Sequence, residues 1–461
     1  MDSKELKNKL FLDERNGYFK IDEKAEKEIE DFANGYKTFL TASKTERLCN
    51  KNAIMLAKEK GFCEFVPDKQ YKAGDKVFYN QRDKSVILSI IGKQPVEKGV
   101  RIVAAHIDSP RIDLKANPLY EAEELGYFKT HYYGGIRKYQ WVAIPLCLYG
   151  VVYNENGEKK EISLGDKEGE PKFVITDLLP HLGAEQGKRP LNDGIKGEEL
   201  NILIGSRPFN NDEESQAVKL NLMKIINEKY GFKEADFRTA ELEFVPAFDA
   251  CDIGFDRSLI GGYGHDDRVC AYPALMAALD TENPEYTVVT VLTDKEETGS
   301  DGNTGLRSNY LRNFIWDLAK MQGADGYRAL RNSKCLSADV NAAFDPTFAD
   351  VFEKRNASLI NKGVVITKYT GARGKGGTSD ASAEYMSFIS QMLNKENVVW
   401  QTGELGKVDA GGGGTVAMYI ANMDVETVDL GVPVLSMHSP FEVISKLDLF
   451  MAYKAFMAFN K

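Results

Sequence analysis

Five apolar runs limit what this chain can fold into: residues 85–91 (SVILSII), 99–107 (GVRIVAAHI), 286–292 (YTVVTVL), 335–340 (CLSADV) and 432–436 (VPVLS). Each is nearly continuous in apolar residues, as in strands buried on both faces. Stretches of helical periodicity separate them, which predicts an α/β domain. Reactive side chains cluster where these runs end. His106, the Glu296–Glu297 pair, Asp339 and His438 all fall there. Open α/β sheets bind ligands just beyond the C-terminal edges of their strands, so these segments are expected to meet on one rim.

The helical stretches are legible from their spacing. Over 22–42, Ile29, Phe32, Ala33, Tyr36, Phe39 and Leu40 form one apolar face. Ser43-Lys44-Thr45-Glu46 reads as a capping box that opens a second helix to about Lys60. Thr378 is expected to cap a helix running to Met392, after a Gly-rich basic loop at 371–378. The last helix starts at Ser445, with Asp448 in the capping-box position. Residues 269–279 are helical in pattern although Pro273 lies among them. From about Pro118 to Phe248 the texture changes to short strand candidates and turns, including Asn156-Gly157 between two strand-like runs. The expected organisation is therefore an α/β domain over 1–117 and 249–461, interrupted by a β-rich unit over 118–248 with one helix near 215–230.

Charge and cysteine content exclude several functions. With 59 Lys and Arg against 69 Asp and Glu, the net charge is −10, and no basic patch interrupts it. Nucleic acid is not an expected partner. No apolar run approaches the roughly 18–20 residues of a membrane span, and the charged N-terminus lacks a signal-type core, so a cytoplasmic protein is expected. The six cysteines form no CxxC pair and read as reduced core residues. With five histidines and no cysteine pairing, a metal site must lean on carboxylates.

Tyr263-Gly264-His265-Asp266-Asp267-Arg268 sits at the mouth of the apolar segment 269–279. So much charge beside a core segment needs a neutralising partner, either Arg268 or a metal. Taken alone, the stretch reads equally well as an Asp–Arg pair at a helix start. Taken with the strand ends, it supplies a carboxylate that two metals could share. Imidazole and carboxylate suit zinc and its divalent neighbours, and paired metals polarise a carbonyl and acidify a water. One acid must then stay unligated to move the proton, and adjacent Glu residues provide for both jobs. Asp108, two residues after His106, is placed to orient that imidazole. Spacing alone separates neither Asp266 from Asp267 nor Glu296 from Glu297.

The ordered set AAHIDSPRIDLK, GGYGHDDR, DKEETGS, SADV and SMHSPFE resembles the aspartyl aminopeptidase family of dinuclear zinc metallopeptidases, in its bacterial branch. The resemblance spans nearly the whole chain. It implies a catalytic domain with a mixed central sheet flanked by helices, interrupted by a β-rich domain used in oligomerisation. It also implies two zinc ions per subunit, with cobalt or manganese as alternatives, peptide substrates, and a homo-oligomer of which the family's dodecamer is one form. His106 and Asp339 match the ligands of one metal, Glu297 and His438 those of the other, Asp266 the bridge and Glu296 the general base. Asp267 matches the neighbour of the bridge, which is not usually a ligand. His181 is the counterpart of a histidine that some members place in a partner's active site, with His131 as its rival. Lys375, with Arg373 and Lys407, is a candidate for binding an acidic substrate side chain. His-Asp-Asp-Arg stands where other members have a more apolar Asp-Asn motif, which leaves the preferred N-terminal residue open.

Two rival functions use the same residues differently. A related dinuclear amidohydrolase, a carboxypeptidase or deacylase, would act on N-blocked substrates. A non-catalytic assembly protein on the same fold would be expected to have lost a ligand or the base, and none is missing here.

Overall fold

A computed structural model describes residues 2–210, 215–371 and 373–461. Among the described residues the central sheet has nine strands. Their order is Cys63–Glu64, Lys76–Gln81, Ser85–Ile90, Val288–Thr293, Arg101–His106, Lys334–Ser337, Glu426–Gly431, Val364–Thr367 and Trp400–Thr402. The run from Val288–Thr293 to Glu426–Gly431 is parallel, with antiparallel neighbours on both sides, so the sheet is mixed as expected. Parallel pairing aligns the C-terminal ends of Val288–Thr293, Arg101–His106 and Lys334–Ser337 along one edge.

Strand alternation divides the core in two. Val103 and Ala105 pack with Tyr36, Leu275 and Phe456, whereas Ile102 and Ala104 pack with Leu311, Phe314 and Ile420. Burial on both faces accounts for the unbroken apolar runs. Helices Glu23–Ala42, His265–Asp280 and Lys446–Asn460 cover one face, and Tyr310–Met321 covers the other. In His265–Asp280 the backbone leaves helical geometry at Asp266 and Asp267 and not at Pro273, so the regular helix begins at Arg268.

A separate seven-stranded antiparallel sheet is drawn from residues 111–246, with its own core around Ile112, Phe128, Trp141 and Phe244. The boundary expected between 117 and 118 cuts its strand Arg111–Ala122. Pro118 suggested a break, but it sits where the pairing register with Leu125–Tyr133 shifts, between Leu114 and Leu119, and the ladder needs no donor there. A third, five-stranded sheet was not anticipated. It joins Cys251–Ile253, Leu259–Gly262, Glu442–Ser445, Pro433–Leu435 and Asn341–Ala342.

Several local expectations need correction. Thr45, not Ser43, caps helix Glu46–Glu59, accepting from the Leu48 N–H. Ser382, not Thr378, caps Ala383–Lys395, and the Thr378 hydroxyl instead accepts from the Thr370 N–H. Ala372 of the basic loop lies outside the described residues. The six cysteines are unpaired, but Cys63 and Cys251 are exposed and not in the core. Among the described residues no helix is long and apolar enough to cross a membrane.

Candidate metal centre

The parallel strands deliver three of the expected side chains. His106 ends its strand, and Asp339 stands two residues past Lys334–Ser337. After Val288–Thr293, a left-handed Lys295 turns the chain into the short 3-10 helix Glu296–Thr298. His438 comes from elsewhere. It lies between Pro433–Leu435 and Glu442–Ser445 of the five-stranded sheet. Asp266 arrives from Leu259–Gly262 of that same sheet, through Gly264 in the left-handed region.

These side chains converge on Asp266. Its Oδ1 is 3.1 Å from His106 Nε2, and its Oδ2 is 3.1 Å from His438 Nε2. Glu297 Oε2 lies 3.5 Å from His438 Nε2, and Asp339 Oδ1 lies 4.0 Å from His106 Nε2. Glu296 Oε2 is 3.9 Å from His106 Nε2. Both imidazoles are held with Nε2 inward. His106 Nδ1 faces the Asp108 carbonyl at 3.0 Å, and His438 Nδ1 faces the Gly135 carbonyl at 2.7 Å. A ring whose Nδ1–H donates to a carbonyl offers its Nε2 lone pair to a cation.

The surroundings fix the geometry. The Asp108 carboxylate accepts from the backbone N–H of Glu296 (3.1 Å) and of Glu297 (3.2 Å), and from the Tyr133 hydroxyl (2.7 Å). Glu442 accepts from the Asp266 N–H (3.0 Å) and the His438 N–H (2.7 Å). The Ser109 hydroxyl donates to the Asp266 carbonyl, and the His106 N–H donates to Asp267. The pairing of Arg268 with an adjacent Asp is not what forms. Its buried guanidinium donates to the carbonyls of Lys44 and Ile107, and among the described residues no ion pair joins it to a carboxylate.

Carboxylates outnumber imidazoles here, and burial and mutual repulsion shift their pKa values. Burial pushes Asp339, Glu297 and Asp267 well above the usual carboxylate range, and neighbouring acids push them further. Burial, with Asp108 and Asp266 nearby, lifts Glu296 to about 7. Burial disfavours a charged His438, but Asp266 and Glu297 override it and raise the ring to about 10. Asp266 shows the opposite balance. Burial raises it, yet hydrogen bonds to the two imidazoles bring it below its ordinary value. Among the described residues, Glu297 Oε1 and Asp267 Oδ1 are buried without a hydrogen-bond partner. Donor atoms of His106, Asp266 and Glu297, and those of His106, Asp267 and Asp339, lie within 4.8 Å of one another. Orphaned carboxylate oxygens, excess negative charge and inward Nε2 atoms fit a divalent cation of the zinc type.

Residues 39–460 match the family described as Aminopeptidase I zinc metalloprotease (M18). The chain belongs to the M18 aminopeptidase family. It is thus an aminopeptidase of the zinc metalloprotease class. It is 46% identical to the probable M18 family aminopeptidase 1 of Clostridium acetobutylicum, over 98% of this chain and 99% of that one. The crystal structure of the M18 aminopeptidase from Thermotoga maritima matches with a TM-score of 0.93 at 42% identity, covering 98% and 99% of the two chains. The S. cerevisiae mApe1 dodecamer shares the fold at 20% identity and TM-score 0.76, over 93% and 96%.

Among the described residues, no hydrogen bond or ion pair joins His181, His131 or Lys375 to this centre. His181 is exposed in the irregular segment after Val174–Ile175, and His131 is exposed with its Nδ1 on the Tyr132 carbonyl. Lys375 pairs with Asp380 at 2.9 Å and lies over the Tyr369 ring, which leaves its ammonium engaged. Glu442 and Tyr133 were not singled out from the sequence. Glu442 lies within SMHSPFE, four residues after His438, a spacing that could have flagged it. Tyr133 offered no such signal.

Proposed function

We propose that this M18 aminopeptidase holds two zinc ions on one carboxylate bridge. His106 and Asp339 would bind one ion, Glu297 and His438 the other, and Asp266 both. The observation that carries this reading is the Asp266 carboxylate, with one oxygen 3.1 Å from each inward Nε2. Zinc bound there would supply a Lewis acid for the scissile carbonyl and lower the pKa of a water. Glu296 takes the proton from the attacking water and returns it to the leaving amine. Its carboxylate lies beside the ligand set, with Oε2 3.9 Å from His106 Nε2, where it can reach a water at the metals. Asp108 keeps the His106 ring and the Glu296–Glu297 turn in register, and Glu442 ties Asp266 to His438.

The seven-stranded unit serves assembly into a homo-oligomer. Leu178, Leu179, Leu182 and Leu191 of this unit are each at least 50% exposed. The dodecamer of the S. cerevisiae relative supports such an assembly. His181, exposed on this unit, is the residue we assign to a neighbouring subunit's site, and Lys375 would meet an acidic substrate side chain on leaving Asp380. Unpaired cysteines and the lack of a membrane-crossing helix among the described residues support a cytoplasmic location.

Glu296→Gln tests the chemistry. The variant is expected to keep the zinc content of the unaltered protein while kcat on an aminoacyl anilide falls by about 10²–10⁴-fold. Normal turnover by a zinc-loaded Glu296→Gln protein would remove Glu296 from the role of base.

A further inference from the structure

We infer that residues Tyr133–Gly135 of the inserted unit form a structural clamp on the metal centre, with Tyr133 as a positioning residue for zinc binding and turnover. The inference rests on the ligand assignment above. Three successive residues each touch a different part of the site. The Tyr133 hydroxyl donates to Asp108 Oδ2 at 2.7 Å. Gly134 has a φ of +76°, and a Cβ there would lie 3.2 Å from Glu297 Oε2. The Gly135 carbonyl accepts from His438 Nδ1 at 2.7 Å.

The clamp has its own support within the inserted sheet. Tyr133 pairs in register with Arg111, the first residue of the neighbouring strand. The Arg111 guanidinium lies 3.8 Å from the centre of the Tyr133 ring, a cation–π contact in a buried setting. Arg111 is itself held by Glu46 (3.3 Å), Asp113 (2.8 Å) and Glu243 (3.2 Å). Glu46 belongs to the catalytic half and Glu243 to the inserted sheet. The tyrosine is therefore fixed before it reaches Asp108, and Asp108 passes that fixation to His106 and to the backbone of both glutamates. Without the hydroxyl, Asp108 loses one of its anchors and is held by the Glu296 and Glu297 N–H groups and by His106 Nδ1, 3.3 Å from Oδ1. Loss of a hydrogen bond behind a metal ligand typically costs metal affinity or activity.

Tyr133→Phe isolates the hydroxyl and keeps the ring under Arg111. Zinc affinity is read by competition with a chromophoric chelator, kcat and KM with an aminoacyl anilide, and the thermal midpoint on chelator-stripped protein. The weaker-bound zinc should lose about 10–100-fold in affinity and kcat should fall by a similar factor. KM should stay within about twofold and the stripped protein's midpoint within about 2 °C, the pattern of lost positioning and not lost folding. Tyr132→Phe, on the same strand with an exposed ring, should match the unaltered protein in every readout. Unchanged zinc affinity and kcat in Tyr133→Phe overturn the clamp. So does a drop in the stripped protein's midpoint beyond that margin, which marks a structural role only. Should Tyr133→Phe fail to fold, Gly134→Ala must weaken zinc binding by pressing on Glu297, and unaltered affinity there overturns the clamp equally. An unaltered protein that binds no zinc tightly overturns the ligand assignment, and the clamp with it.

Discussion

Single backbone and side-chain positions decide how charge is held beside this core. Gly264 has a φ of +78°, and a Cβ there would fall 1.9 Å from Arg268 Nη1 and 3.0 Å from Ser109 Oγ. Arg268 cannot easily yield, because it is buried and committed to the carbonyls of Lys44 and Ile107. Gly264→Ala should therefore cost about 2–4 kcal/mol, from left-handed strain plus overpacking. Urea unfolding of the stripped protein measures this, and a midpoint equal to that of the unaltered protein would contradict it. The sequence exposed the need for a partner to Asp266 and Asp267 but could not separate the two. Both are buried with an oxygen near His106, a placement that depends on the non-helical backbone at both residues, which local residue types do not encode. It also suggested Arg268 as the partner, whereas the guanidinium turns to carbonyls from two other segments. Such long-range acceptors leave no trace in spacing.

At the level of elements, strand runs and amphipathic helices were legible because burial imposes a period. Caps and hairpins were less so. The hairpin joining Arg111–Ala122 to Leu125–Tyr133 turns on Glu123 and Glu124, both with positive φ, in place of the Asn or Gly that usually marks such turns. The last helix shows a different gap. Ser445 caps it as expected, but Asp448 reaches out of the helix to accept from the N–H of Asn361 (2.8 Å) and Gly363 (2.6 Å). Burial lifts this carboxyl to about 8, against 3.8 for the ordinary group. A folded value above the unfolded one means that its contribution is fully present below pH 3.8 and lost as pH rises through about 8. Across that window the loss approaches about 1.4 kcal/mol per pH unit. Asp448→Asn should lose less stability than the unaltered protein between pH 5.5 and 8, by urea midpoints. Parallel losses in the two proteins would contradict a titrating Asp448.

Across the whole molecule, the site is a meeting of three sheets. The nine-stranded sheet brings His106, Glu297 and Asp339, the five-stranded sheet brings Asp266 and His438, and the seven-stranded sheet closes over them through Tyr133–Gly135. The sequence signalled the strand ends as a rim, yet it placed all of them on one sheet edge. The second sheet was hidden because its strands are short, two to four residues, and are gathered from pieces scattered between residues 251 and 445. These contributions meet at Asp266, which lies 3.1 Å from Nε2 of both His106 and His438. The direct measurement is zinc per subunit, by elemental analysis after dialysis, in the unaltered protein and in Asp266→Asn, with circular dichroism showing both folded. Two tightly held ions in the first and neither in the second is the predicted result. An Asp266→Asn protein that still holds two ions would contradict a shared carboxylate.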